Sequence, residues 1–354
     1  MVVVLGVDVH KGTHTAVAID DVGRELGQRT VRATDAGHRQ LLRWALREFA
    51  DADELRFAVE DCRHVSARLE RDLLGAGQHV VRVPPKLMAG ARSSARTRGK
   101  SDPIDALAVA RAALREPNLP VARHDSVSRE IKLLVDHRDD LVNERTRMQN
   151  RLRWHLHELD PELDLPERVL SRLVTLDGLA AWLGTQSSAS SLLIRIATEL
   201  VGDIRALTVR INALERELVQ RMKVVAPKLL ALSGCGALTA AKIVGETADV
   251  TRFRSEACFA MHAGAAPIPA SSGKTNRHRL ARGGNRQLNA ALHRIALTQI
   301  GRNGPGRIYY ERRLAMGNTK MEALRALKRR LARIVFNLLR PEPINKEASL
   351  QAAA

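Results

Sequence analysis

From Met1 to Val7 every position is apolar or glycine, and the run continues through Val9 with one interruption, Asp8. An aliphatic, β-branched run of this kind predicts a strand buried on both faces. Residues 15–19 read as a second strand, 20–23 as a turn and 24–31 as a third strand, together an antiparallel meander. Leu41, Leu42, Ala45, Leu46 and Phe49 then fall at helical spacing. Residues 56–60 form a short apolar strand ending in an acid, Glu60. Leu69, Leu73 and Leu74 mark one side of a helix over 65–74. Residues 79–83 make a fifth strand, stopped by Pro84 and Pro85.

Past residue 125 the pattern changes to long helical stripes. Ile131, Leu134, Leu141, Met148, Leu152 and Leu159 step by three and four, broadened by Val135 and Val142, until Pro161 and Pro166 break the helix. Residues 185–191 are a polar linker. Leu200, Ile204, Leu207, Ile211, Leu214 and Leu218 give a cleaner heptad run. Two such helices pair as an antiparallel coiled coil, inside one chain or across a dimer; the small size of this region for a core of its own favours the dimer. Residues 230–243 read as helix, glycine turn, helix. In a helix-hairpin-helix, the Gly234-Cys235-Gly236 turn would offer backbone N–H groups and a helix N-terminus to a phosphate; otherwise it is an ordinary tight turn. Residues 320–339 form a basic helix with Leu324, Leu327, Leu331 and Val335 on one face. The expected division is an α/β domain over 1–125, paired dimerisation helices over 126–225, a mostly helical domain over 226–345, and a disordered Ala-rich tail over 346–354.

Charge sharpens this picture. The 354 residues hold 57 Lys and Arg against 39 Asp and Glu, a net charge of +18, which calls for a polyanionic partner. The excess is concentrated. No acid lies between Asp72 and Asp102, where Arg92, Arg96, Arg98 and Lys100 make a polar loop suited to a phosphate backbone. None lies between Glu256 and Glu311, where Lys274, Arg277, Arg279, Arg282 and Arg286 fall. Aromatics at 3% argue against extensive base-stacking platforms. No long apolar run and no basic amphipathic helix with bulky aromatics suits a membrane. The chain opens directly on its first strand, without a signal peptide. Cys62, Cys235 and Cys258 fit neither a disulfide framework nor a zinc site. The expected home is a bacterial cytoplasm, at the nucleoid.

The chemistry resides in acids. A lone carboxylate is costly in a buried strand, so Asp8 needs a bound cation or a turn to cap. The strand and helix order is that of the ribonuclease-H-like fold, whose nucleases place acids on the first strand, at the end of the fourth, and on a later helix. Asp8 and Glu60 occupy the first two places. The third is Asp102-Pro103-Ile104-Asp105, where Pro103 suits a first helical turn, Asp102 the N-cap and Asp105 the N3 position. Capping and metal binding are compatible, because residues three apart share a helix face. Four such carboxylates suit two Mg²⁺ ions roughly 3.5–4 Å apart. The actin-like ATPases open on a similar strand, but the second phosphate loop and adenosine motif they need are missing.

Gly6-Val7-Asp8-Val9-His10-Lys11, Val59-Glu60 and Lys100-Ser101-Asp102-Pro103-Ile104-Asp105-Ala106 resemble the DEDD signature of a family of insertion-sequence transposases. That family also includes the Piv-type DNA invertases and the bridge-RNA-guided recombinases. The resemblance implies a RuvC-like N-terminal domain using Mg²⁺ and a C-terminal domain with a serine nucleophile. Ser272, directly before Gly273, is the matching serine, and Ser271 is the fallback. It further implies donor and target DNA, a structured guide RNA, and a homodimer that assembles to a tetramer on DNA. The match departs from the pattern at Thr275-Asn276-Arg277-His278, where a further glycine is usual, and at Arg282-Gly283-Gly284-Asn285, where Lys-x-Gly-Asn is usual. Two other readings stand beside it: a metal-dependent, structure-specific nuclease akin to a junction resolvase, and a catalytically silent DNA-binding protein.

Overall fold

The structure, a computed structural model, describes residues 1–60, 65–84, 87–88, 90–91, 101–116, 119–123, 125–166, 168–186, 191–271, 278–281 and 283–341. It divides into two compact units. The first comprises residues 1–125 with 251–253, the second 126–250 with 254–354.

The first unit is a five-stranded sheet with helices on both faces. Its strands are β1 (Val2–Val9), β2 (Thr13–Ile19), β3 (Glu25–Arg32), β4 (Glu54–Glu60) and β5 (His79–Val83). They lie in the order β3-β2-β1-β4-β5; β1, β2 and β3 pair antiparallel, while β1, β4 and β5 pair parallel. This is the ribonuclease-H-like arrangement expected from the element order. β1 sits at the centre, which is why its sequence is apolar on both sides. Its odd positions, Val3, Leu5 and Val7, pack with Leu41 and Ala45 of α1 (Asp35–Glu48) and Leu69 and Leu73 of α2 (Ala67–Gly75). Its even positions face α3 (Asp102–Arg115): Val4 joins Ala106, Val109 and Ala110 in a second core layer. Asp8 belongs by parity to that α3 face. The β1–β4 register pairs Gly6 with Ala58 and Val7 with Val59, so Glu60 follows beside Asp8 on the same face.

The second unit is helical: α4 (Ser126–Leu159), α5 (Leu173–Thr185), α6 (Ser191–Val225), α7 (Pro227–Leu230), α8 (Ala237–Thr247), α9 (Glu256–His262), α10 (Arg286–Gly301), α11 (Pro305–Ala315) and α12 (Lys320–Leu339), with a short hairpin of β6 (Ile268–Pro269) and β7 (His278–Arg279). Helices α4 and α6 run antiparallel against each other within the chain. Leu141 packs with Leu207 and Ile211, while Arg138 reaches Glu215 and Arg221 reaches Glu130. The heptad stripes are thus buried in part on one another inside one chain. Helix α5, which the sequence pattern did not pick out, adds Leu176, Leu179 and Leu183 to the core around Leu152, Leu156 and Leu200. Helix α4 also binds α8. Lys132 pairs with Asp136 and Glu246, and Lys242 lies 2.7 Å from Asp139 and 3.3 Å from Asp136. Among the described residues no helix is long and apolar enough to cross a membrane.

Candidate active site

Asp8 is 3% exposed near the end of β1. Its Oδ2 is buried and makes no aligned hydrogen bond, although His10 Nε2 stands 3.0 Å away. The same Nε2 is 3.4 Å from Asp102 Oδ1. One ligand atom from each of Asp8, His10 and Asp102 falls within 4.8 Å of the others. Burial raises the Asp8 pKa; His10 opposes the shift, while the carboxylates of Asp105, Asp102 and Glu60 add to it. Asp105, Asp102 and Glu60 are therefore all near enough to act on Asp8, while the close ligand-atom cluster itself holds Asp8, His10 and Asp102.

Local sequence explains the placement. Helix α3 begins at Asp102, with Pro103 in its first turn. The N-cap is Ser101, which makes no side-chain capping bond, so the expectation that Asp102 caps the helix is corrected: Pro103 sits one position deeper than assumed. Asp102 is left half-exposed, while Asp105 is buried at 6%. Both carboxylates lie in the first helical turn, where the positive end of the helix favours them. His10 was absent from the expected site residues, although its place two positions beyond Asp8 was a usable signal.

This donor set suits a divalent cation. Hard ions take carboxylate oxygens, and a buried carboxylate oxygen without a hydrogen bond, raised in pKa first by burial and then by neighbouring acids, lacks the counter-charge such an ion brings. Other acids in this unit serve structure. Asp20 accepts hydrogen bonds from the Val22 and Arg24 N–H groups, which makes it a turn cap. Asp35, His38 and Asp72 also cluster, but Asp35 pairs with Arg68, and His38 spans Asp72 and His14.

The basic C-terminal residues divide in two. Ser272, Lys274, Arg277 and Arg282 lie outside the described residues, as do Arg92, Arg96, Arg98 and Lys100. Ser271, Arg279 and Arg286 are exposed. Gly234 adopts φ +81°, and a Cβ there would stand 3.1 Å from the Ile295 carbonyl oxygen, so this glycine serves helix packing as well as the turn. Gly236 is the N-cap of α8, with open space around it. Gly284 adopts φ +102°, and its missing side chain lets Asn285 N–H reach the His262 carbonyl. Asn285 is buried; its Oδ1 caps α10 at the Leu288 N–H, and its Nδ2 donates to Glu246. The Gly-Asn-Arg motif therefore fixes the chain as it returns from the serine segment. The Cys235 thiol is buried and pushed up to about 12, which leaves it inert.

Comparison with known proteins gives one family throughout. Residues 5–161 match the DEDD transposases of IS110 elements, and residues 226–311 match the transposases of the IS116/IS110/IS902 family. The chain is 29% identical to the 44.8 kDa protein of insertion element IS116 from Streptomyces clavuligerus, across 95% of this chain and 94% of that one. It is 26% identical to the 42 kDa protein of insertion element IS900 from Mycobacterium paratuberculosis, across 99% and 98% of the two. A T. thermophilus RuvC chain, solved with a Holliday junction substrate, is 15% identical, with a TM-score of 0.26 over 34% of this chain and 100% of that one. With two matches in chain order and relatives aligned along nearly their whole length, the protein belongs to the IS110/IS116 family of insertion-element DEDD transposases, enzymes that act on DNA.

Proposed function

We propose that this transposase cuts and rejoins donor and target DNA using two Mg²⁺ ions held by Asp8, Glu60, Asp102 and Asp105 and a serine nucleophile, Ser272, with Ser271 as the fallback. The observation that carries the metal assignment is the buried Asp8 oxygen without a hydrogen bond, among three further acids and His10. Bound ions would polarise the scissile phosphate and stabilise the leaving oxygen. His10, near both Asp8 and Asp102, either completes the ligand set or holds a proton.

In the serine step the Oγ–P bond forms as the P–O bond to the leaving deoxyribose oxygen breaks. The Oγ proton passes to a base, and the leaving oxygen is protonated or kept for rejoining. A serine hydroxyl needs activation, and the acid-free sequence around Ser272, with Lys274 and Arg277 close by, favours both an alkoxide and a bound phosphate. Gly273 gives the backbone room to approach that phosphate. The family resemblance supports guidance by an element-encoded bridge RNA and assembly as a homodimer, then a tetramer. A resolvase-like nuclease is the second reading, favoured by an acid cluster that lies wholly within the first unit. The reaction is quenched with denaturant and tested for DNA covalently joined to protein in wild type, Ser271→Ala and Ser272→Ala. Loss of the adduct in Ser272→Ala alone is the expected result. Metal-dependent cleavage with no adduct in any protein selects the nuclease.

A further inference from the structure

The second unit carries a cavity of about 460 Å³ between the β6–β7 hairpin and helices α11 and α12. Its lining has two characters. Ala265, Ala266, Pro267 and Leu280 supply small apolar surface; Arg279, Arg313, Arg325 and Lys328 supply positive charge. The acid at its edge, Glu322, is engaged at the start of α12, where it accepts from the Thr319 N–H and hydroxyl. Arg279, Arg313 and Arg325 pair with no acid among the described residues. Arg313 Nε is buried without a hydrogen bond. Lys328 is 8% exposed, and its ammonium donates to a neutral oxygen, Asn289 Oδ1. Of the four cations only Lys328 is buried as a residue, with Arg313 Nε buried and unbonded; a buried cation without counter-charge is costly, and an anionic ligand would relieve that cost.

The volume sets the size of the ligand. It lies in the range of small-molecule sites, roughly 300–1,000 Å³, and is far too small for a duplex. A ligand with one phosphate and one flat apolar ring system matches both parts of the lining. The cavity is also adjacent in sequence to the serine segment, because His278 and Arg279 directly follow residues 272–277.

We propose that this cavity takes a single unpaired nucleotide of the DNA strand, with its phosphate at Arg313, Arg325 and Lys328 and its base against Ala266, Pro267 and Leu280. Withdrawing one nucleotide from the stack is how proteins bring a base or its phosphate into a closed pocket. The inference rests on DNA being the substrate and is independent of the metal and serine assignments.

Fluorescence anisotropy with the full-length protein in EDTA tests it, since cleavage chemistry is then silent. The probes are a fluorescein-labelled DNA duplex with one extrahelical nucleotide, the fully paired duplex of the same sequence, and the RNA version of the bulged duplex. Wild type should prefer the bulged DNA about tenfold, which is the scale of one stacked base. Arg313→Gln and Ala266→Phe, which fills the cavity without changing charge, should both abolish the preference while melting like wild type. Arg195→Gln, on the exposed face of α6, should keep it. Equal binding of bulged and paired DNA by wild type overturns the proposal. So does a preference that survives both cavity variants, one lost in the Arg195 control, or one seen with RNA alone.

Discussion

Gly6 of β1 lies directly against Ala106 of α3: a Cβ on Gly6 would stand 2.2 Å from the Ala106 carbonyl oxygen and 2.3 Å from the Ala110 amide nitrogen. Only a hydrogen fits there, so this contact sets how closely α3 approaches the sheet. Asp8 follows Gly6 by two residues, and Asp105 precedes Ala106 by one. The spacing of the acids is therefore tied to a glycine that carries no chemistry. Gly6→Ala should force strand and helix apart, at an overpacking cost of about 1–3 kcal/mol, and draw Asp102 and Asp105 away from Asp8. The expected outcome is a lower melting midpoint and loss of metal-dependent nicking at temperatures where the variant is still folded. Wild-type nicking would show that another contact sets the spacing.

Asp8→Asn makes the complementary case. In the metal-free protein Asp8 is buried beside other acids and its pKa is raised, so its charge opposes folding above the ordinary carboxylate range. A neutral amide removes that opposition, and the metal-free variant should melt above wild type. A ligand that binds only the folded state stabilises it by roughly 2.7 kcal/mol at a hundred times its Kd. Mg²⁺ should therefore raise the wild-type midpoint and leave Asp8→Asn unmoved. An equal Mg²⁺ shift in both proteins would remove Asp8 from the ligand set.

Much of the first unit was legible in the sequence because a central strand has few ways to be apolar on both faces. The 1–7 run, the acid ending β4 and the proline at the start of α3 each fixed an element to within a residue or two. Harder to read were features set by distant contacts. Ser101, not Asp102, is the N-cap of α3, a choice settled by backbone geometry two residues before a proline. Helix α5 escaped because its sequence, with Leu173, Leu176, Leu179 and Leu183 beside two glycines, gives no clean polar face. The two long helical stripes could pair within a chain or between chains with the same sequence pattern; in the fold they meet within one chain, at Leu141 with Leu207 and Ile211. Asn285 was legible as a helix cap, but its bond to Glu246, 39 residues away, was not.

One buried histidine, His14, gives the first unit a pH dependence. His14 is 2% exposed, and its ring is stacked on His38 with centroids 5.1 Å apart. Burial, then the His38 charge, lowers the His14 pKa to about 4, against an ordinary 6.5. The unfolded chain therefore takes up a proton that the folded chain refuses. This costs nothing above pH 6.5 and grows as pH falls toward 4, at about 1.4 kcal/mol per pH unit. Urea unfolding at pH 7, 6 and 5 should show stability falling with pH, and His14→Gln should flatten that window. An unchanged slope in the variant would place the titration elsewhere.

Glu246 joins three elements of the second unit, holding Lys132 of α4 and Asn285 at the head of α10 from its own place on α8. Its side chain is 3% exposed and that of Lys132 is 30%. Removing one partner of a buried pair costs about 3–5 kcal/mol, and partial exposure of the lysine, which keeps Asp136 at 2.9 Å, sets this case at the lower end. Glu246→Ala should thus lose about 3 kcal/mol in urea unfolding. The double variant Glu246→Ala, Lys132→Met should recover part of that loss. A double variant no more stable than the single would show that the lysine charge is not what destabilises it.

Asp8, Glu60, Asp102 and Asp105 are proposed to form one metal-dependent centre for cutting DNA. Nicking of supercoiled plasmid bearing the element's ends, together with any RNA that co-purifies, measures it most directly. Wild type, Asp8→Asn, Glu60→Gln, Asp102→Asn and Asp105→Asn are compared in Mg²⁺ and in EDTA. Nicking by wild type in Mg²⁺ alone, with each substitution lowering it at least about a hundredfold, the scale of losing a key electrostatic contact to the transition state, is the predicted result. Nicking that persists in EDTA, or in any of the four variants at the wild-type rate, would contradict it.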